Sequence, residues 1–289
     1  MSLPPIIESL DEIADRYDAL LCDLWGCLHD GVKVHPAAAA ALQRFRAKGG
    51  KVALFTNAPR PAASVEAQLK GLGAPEGISD IVVSSGDAAL ESVHKGEWGK
   101  KIHAICAADK DAAFFDAAGL EIVPLDQADS VVCTGLRDDL NEHPDAYRDE
   151  LREAQLRGLP FLNANPDIVV DKGDVRLWCA GALAQIYEEM GGEVRTFGKP
   201  HAPIYDYARR RLDALVDGGI DADRILCIGD GPHTDLKGAV AEGLDCLFVT
   251  GGLGLKEVGG DPDRPDPAKL ERWLGELQLS PRWAIGRLR

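Results

Sequence analysis

The chain has 289 residues, enough for more than one hydrophobic core, and 45% of them are hydrophobic. Its 32 Lys and Arg stand against 47 Asp and Glu, a net charge of -15, which argues against a nucleic-acid or anionic-membrane partner. No uninterrupted apolar run approaches the ~20 residues of a membrane span. The N-terminus, with Glu8, Asp11, Glu12 and Asp15, lacks signal-peptide and transit-peptide character, so a soluble cytoplasmic protein is expected.

Ser9 to Glu12 spells a capping box that opens a short helix. Ala19 to Cys22 is an apolar run of the kind buried on both faces in a parallel sheet, and Asp23 stands at its end. Pro36 and the pair Gly49 and Gly50 bracket an Ala-rich helix over 36–48. Strand 51–56 delivers Thr56, a helix follows from Pro61 to about Lys70, and strand 80–84 completes β-α-β-α-β. That alternation predicts a doubly wound parallel sheet, an α/β fold.

From about residue 90 the pattern restarts with strands 102–106, 130–133 and 160–163 and helices near 109–118 and 144–157. We read this as a smaller α/β domain inserted into the first, giving a core over 1–89 and 192–289 and a cap over 90–191. A helix over 180–190, Lys199, a helix over 202–214, the strand ending at Asp230, a helix over 234–242 and strand 244–249 follow. Residues 251–267, dense in Gly, Pro and Asp, read as an irregular surface loop. In the last helix Leu270, Trp273, Leu274 and Leu277 form a core-facing stripe, with a homodimer contact as the alternative. Seven cysteines without a Cys-x-x-Cys pair read as reduced, buried small hydrophobes.

Two strands thus deliver carboxylates to one sheet edge, Asp23 after the first and Asp230 with Asp235 after another. Carboxylates gathered there repel one another, and a hard divalent cation such as Mg²⁺ resolves the repulsion. Thr56 and Lys199, the latter held between Gly198 and Pro200, add a hydroxyl and an ammonium suited to phosphate.

This ordered set resembles the four motifs of the haloacid dehalogenase superfamily, and more closely its class IIA branch of sugar-phosphate and nitrophenyl-phosphatase-like proteins. The resemblance spans nearly the whole chain. It implies a doubly wound core with an inserted cap, and an Mg²⁺-dependent phosphatase acting on a small phosphorylated metabolite through an aspartyl-phosphate. Asp23 falls on the nucleophile, Thr56 on the phosphate-binding hydroxyl, Lys199 on the lysine, and Asp230 with Asp235 on the acidic metal motif. Asn57 and Ala58 follow the hydroxyl as phosphate-binding positions. Asn165 and Asp167, in Asn165-Pro166-Asp167, resemble the end of the cap, where substrate is read. The expected metal set is Asp23, the Trp25 carbonyl, Asp230 and Asp235.

Trp25 departs from the pattern. The family's Asp-x-Asp-Gly reads Asp-Leu-Trp-Gly here, and the replaced aspartate is the family's general acid and base. Trp25 still offers its backbone carbonyl, but its indole moves no proton. Substrates with good leaving groups, or a substitute acid among His29, Asp30 and His233, would meet the loss; otherwise turnover would be residual. The alternative is a non-catalytic Mg²⁺ and phosphate-ligand binding protein of the same fold.

Overall fold

The computed structural model describes residues 3–172 and 175–289. In chain order its strands and helices are β1 Ala19–Cys22, α1 Pro36–Ala47, β2 Lys51–Thr56, α2 Ala62–Gly71, β3 Ile81–Ser84 and α3 Ser85–His94. Then come β4 Lys101–Ile105, α4 Ala108–Ala118, β5 Glu121–Ile122, β6 Ser130–Cys133, α5 Arg148–Leu156, β7 Phe161–Asn163, β8 Val169–Lys172 and β9 Val175–Trp178. The chain closes with α6 Ala180–Glu189, β10 Val194–Thr196, α7 Ala202–Asp213, β11 Ile225–Gly229, α8 Lys237–Ala241, β12 Asp245–Val249, α9 Pro267–Leu277 and β13 Trp283–Ile285.

The chain divides into two compact units, the first formed by the described residues of Met1–Thr56, Glu66–Val83 and Tyr205–Arg289, the second by Asn57–Val65 and Ser84–Ile204. The first unit carries a six-stranded sheet in the order β13-β12-β11-β1-β2-β3. Strand β1 is buried along its whole length and pairs in parallel with β2 on one side and β11 on the other. Its register sets Cys22 opposite both Leu54 and Ile228, so the chain leaves β1 and β11 at one sheet edge. The strand order runs away from β1 in both directions, and a doubly wound sheet binds ligands at such a reversal, beyond the carboxyl ends of the strands.

The second unit holds a five-stranded parallel sheet in the order β10-β7-β6-β4-β5, with an antiparallel hairpin of β8 and β9 beside it in the chain. Phe161, Leu151, Leu183 and Tyr187 are fully enclosed in its core. The doubly wound α/β architecture expected from the sequence is therefore present, in two copies of unequal size.

Details differ where signals are short. The expected capping box is made, with Ser9 accepting from the Asp11 N–H, but it starts two 3-10 turns rather than an α-helix. The helix expected over 234–242 begins as a π-turn, Pro232–Leu236, and becomes α only at Lys237. The hairpin, β5, β10 and β13 were not expected, since strands of two to four residues with charged positions carry no sustained alternation. The stripe on α9 faces inward: Leu270 and Leu274 are buried, and the Trp273 ring lies 5.8 Å from that of Phe248. Among the described residues no helix is long and apolar enough to cross a membrane.

Candidate active site

Asp23, Trp25, Thr56, Asp230 and Asp235 belong to the first unit, and Asn57, Ala58, Asn165, Asp167 and Lys199 to the second. In the first, the Asp23 N–H continues the ladder by donating to the Ile228 carbonyl at 2.8 Å, which fixes where its side chain leaves the sheet. Asp23 and Asp230 are both buried. Carboxylate oxygens of the two, and the sulfur of Cys27, lie within 4.8 Å of one another.

Two buried carboxylates this close repel, and they fit a small hard dication, whose octahedral oxygen ligands stand about 3 to 4 Å apart. Cys27 is a soft donor whose thiol is pushed well up, first by burial and then by the charges of Asp230 and Asp23. Sequence reasoning passed over Cys27, because its neighbourhood reads as ordinary apolar packing.

Asp230 is seated by backbone. Its Oδ2 accepts from the Leu253 N–H at 2.8 Å. A Cβ at Gly26, where φ is +79°, would come within 2.1 Å of the same oxygen, and one at Gly252 within 2.0 Å. The segment read as a surface loop therefore closes over the carboxylate. Its signal was available: Gly251 and Gly252 follow β12, the neighbour of β11, and so arrive at the same edge. Asp235 is buried at the π-turn, and its Oδ2 accepts from the Gly231 N–H at 3.1 Å, tying down the residue after Asp230. It is outside the cluster formed by Asp23, Cys27 and Asp230.

Trp25 is half-buried, and its ring is folded over its own loop, against Gly31 and edge-on to His29 with centroids 5.2 Å apart. Hydrogen bonds from Leu28 and His29 to the Leu24 carbonyl, and from Gly26 to the His29 carbonyl, close this loop. Two of the three candidate acids, His29 and Asp30, are otherwise engaged. His29 is buried and accepts from the Gly31 N–H through Nδ1 at 3.1 Å, which leaves its proton on Nε2, and burial pulls its pKa down to about 4. Asp30 accepts from the Val32 and Lys33 N–H groups, each at 2.9 Å, and these bonds hold its pKa down as an exposed turn carboxylate. His233 is exposed on the π-turn.

In the second unit, Asn57 and Lys199 are buried, and the Asn57 carboxamide meets the Lys199 backbone. The Ala58 carbonyl accepts from the Gly86 N–H at 3.1 Å, anchoring the loop to α3. Residues Asn163 to Asp167 form linked turns: Asn163 Oδ1 accepts from the Asn165 N–H, and Asn165 Oδ1 accepts from the Asp167 N–H, both at 3.1 Å. The Asn165 side-chain oxygen is thus turned into its own loop, and Asp167 Oδ1 accepts from the Asn57 carboxamide.

Residues 20–121 match the haloacid dehalogenase-like hydrolases, and residues 196–270 match a second, HAD-hydrolase-like family. A solved hydrolase of the haloacid dehalogenase-like family from Brucella suis 1330 is 42% identical, covers 98% of this chain and 100% of its own, and superposes with a TM-score of 0.86. The D-glycerol 3-phosphate phosphatase of Mycobacterium tuberculosis is 27% identical over 92% of this chain and 71% of its own length. A structure of a glycerol phosphate phosphatase from the same organism, in complex with magnesium, is 26% identical over 89% of this chain and 77% of its own, with a TM-score of 0.66. By sequence and by fold, the chain belongs to the haloacid dehalogenase-like hydrolase family.

Proposed function

We propose that this protein is a phosphatase that hydrolyses a small phosphorylated metabolite in two displacements, with Mg²⁺ as its cation and Asp23 as its nucleophile. The observation that carries this reading is the pair of buried carboxylates, Asp23 and Asp230, brought together at the carboxyl edge of adjacent parallel strands. Similarity to a D-glycerol 3-phosphate phosphatase supports the substrate class. The segment 90–191 is the cap that reads the leaving group.

Asp23, the Trp25 carbonyl and Asp230 would hold the ion, with Asp235 pinning the turn beneath it. Bound there, Mg²⁺ offsets the charge of the phosphoryl oxygens and of the nucleophile. An Asp23 oxygen attacks phosphorus as the bond to the leaving oxygen breaks. Water then attacks the aspartyl-phosphate, releasing phosphate and restoring the carboxylate. The Thr56 hydroxyl and the backbone N–H groups of Asn57 and Ala58 hold phosphoryl oxygens, and the Lys199 ammonium balances their charge.

With Trp25 folded on its loop and His29 and Asp30 engaged, no side chain of that loop is set to protonate the leaving oxygen. The reading therefore favours leaving groups that depart as stable anions, such as aryl and acyl phosphates. The test is a panel of phosphorylated metabolites with p-nitrophenyl and acetyl phosphate, with Mg²⁺ present and withheld, comparing wild type with Asp23→Asn. Mg²⁺-dependent phosphate release that the substitution abolishes is expected. Turnover without metal, or surviving the substitution, overturns the mechanism, and Mg²⁺-dependent phosphate binding with no turnover identifies a binder.

A further inference from the structure

One side chain, that of Asn57, bonds both backbone groups of Lys199. Asn57 Oδ1 accepts from the Lys199 N–H at 2.7 Å, while Asn57 Nδ2 donates to the Lys199 carbonyl at 3.2 Å and to Asp167 Oδ1 at 2.8 Å. The orientation of this carboxamide is forced, because a backbone N–H only donates and a carbonyl or a carboxylate only accepts. A rotation of the amide by half a turn would set donor against donor and acceptor against two acceptors. All the groups involved lie in the second unit.

The fit around this clamp is close. A Cβ at Gly198 would lie 2.7 Å from Asn57 Oδ1 and 2.4 Å from Pro166 Cδ, so the residue before Lys199 has no room for a side chain. Pro166 and Asp167 come from the same linked turns, which Asn165 and Gly181 brace: the Gly181 N–H donates to the Asp167 carbonyl at 3.1 Å. The chain of support therefore runs from the Asn163–Asp167 loop through Asp167 to Asn57, and from Asn57 to the peptide that carries Lys199.

We propose that Asn57 and Asp167 are positioning residues for Lys199, rather than contacts to substrate: Asp167 fixes the Asn57 carboxamide, and Asn57 fixes the Lys199 backbone. This deepens the phosphatase reading and rests on it for the role of the ammonium. Holding a charged group to within a fraction of an ångström matters, since a misplacement of about 1 Å can cost on the order of a hundredfold in rate. The role of Asp167 here is to accept a hydrogen bond, which a neutral carboxamide oxygen also does.

That distinction gives the test. Kinetics with p-nitrophenyl phosphate and Mg²⁺ are compared for Asn57→Ala, Asn57→Asp, Asp167→Asn and Asp167→Ala, with thermal melting recorded for each. The expected result is Asp167→Asn within about threefold of wild type, Asp167→Ala and Asn57→Ala with kcat down by about ten- to a hundredfold and KM little changed, and Asn57→Asp lowest. Asn57→Asp is worst because it sets a carboxylate oxygen against the Asp167 carboxylate and the Lys199 carbonyl. Should the Asn57 variants not fold, the Asp167 pair decides. Equal losses in Asp167→Asn and Asp167→Ala mean that its charge acts on the ligand, and an unchanged kcat in Asp167→Ala means that it fixes nothing; either overturns the proposal. If the wild type fails to turn over at all, the phosphatase reading falls separately, and orthovanadate affinity is measured instead: the same rank order sustains the clamp, and a flat series overturns it.

Discussion

The Leu253 backbone N–H reaches Asp230 Oδ2 at 2.8 Å, across 23 residues of chain that include all of β12. A loop with no regular structure thereby fixes one of the two carboxylates at the centre of the candidate site. The neighbouring Gly252 leaves no room for a side chain, since a Cβ would stand 2.0 Å from that oxygen.

Gly252→Ala is therefore expected to displace the Asp230 carboxylate and weaken Mg²⁺ binding about tenfold or more, the scale seen when groups that orient a metal ligand are disturbed. Calorimetric titration with Mg²⁺ reads this without need of a substrate. Gly275→Ala, on α9 with open space at its Cβ, is the matched control and is expected to gain about 0.5 to 1 kcal/mol from helix propensity alone.

Trp25→Asp restores the residue type of the family pattern. Hydrolysis of alkyl phosphates such as glycerol phosphates is expected to rise tenfold or more, within the roughly hundred- to ten-thousand-fold range of general acid catalysis, while p-nitrophenyl phosphate changes little. A rise shared equally by both substrates would mean that the indole hinders access instead of lacking a proton.

The pH response of the second unit is set in part by Glu150. Burial opposes its ionisation, but hydrogen bonds from His103 at 2.6 Å and from Arg137 at 2.9 and 2.5 Å more than compensate and hold its pKa down, from 4.5 to about 2. Because the folded state favours the carboxylate, this contribution is fully present above about pH 4.5 and is lost as the pH falls toward 2. Glu150→Gln is expected to lower stability at pH 7 and to flatten the acid limb of a melting-temperature profile between those values.

Tyr205 is buried against Phe55, with ring centroids 5.0 Å apart, and its hydroxyl meets no hydrogen-bond partner among the described residues. Such a group keeps its desolvation cost without recompense, on the order of 1 to 3 kcal/mol. Tyr205→Phe is expected to raise the melting temperature, and a fall would reveal a bonded water or ion at that oxygen.

The parts of this molecule legible in the sequence are those where one residue type meets a strong local pattern. Ala19 to Cys22 admits few readings other than a buried parallel strand, so Asp23 had to stand at a sheet edge. Pro36 and the glycines after Lys48 marked α1 to within a residue of its observed end at Ala47. Leu253, Cys27 and the bonds that Asn57 makes to Lys199 were hidden for a different reason, although Asn57 itself was expected at the phosphate. Asn57 looks like any turn residue until Lys199, 142 positions later, supplies both a donor and an acceptor to its amide. Leu253 contributes only a backbone N–H, which no side-chain pattern reveals, and Cys27 owes its place to the curl of the loop after Asp23.

The shared register of β1 with β2 and β11 divides the chain into lengths that can drift and lengths that cannot. Connections such as 215–224 can gain or lose residues while the site keeps its shape. One residue added between Ala19 and Cys22 would swing Asp23 to the opposite side of the sheet and away from Asp230. Divergence in this protein should therefore accumulate as changes of loop length, with four residues of strand holding constant count.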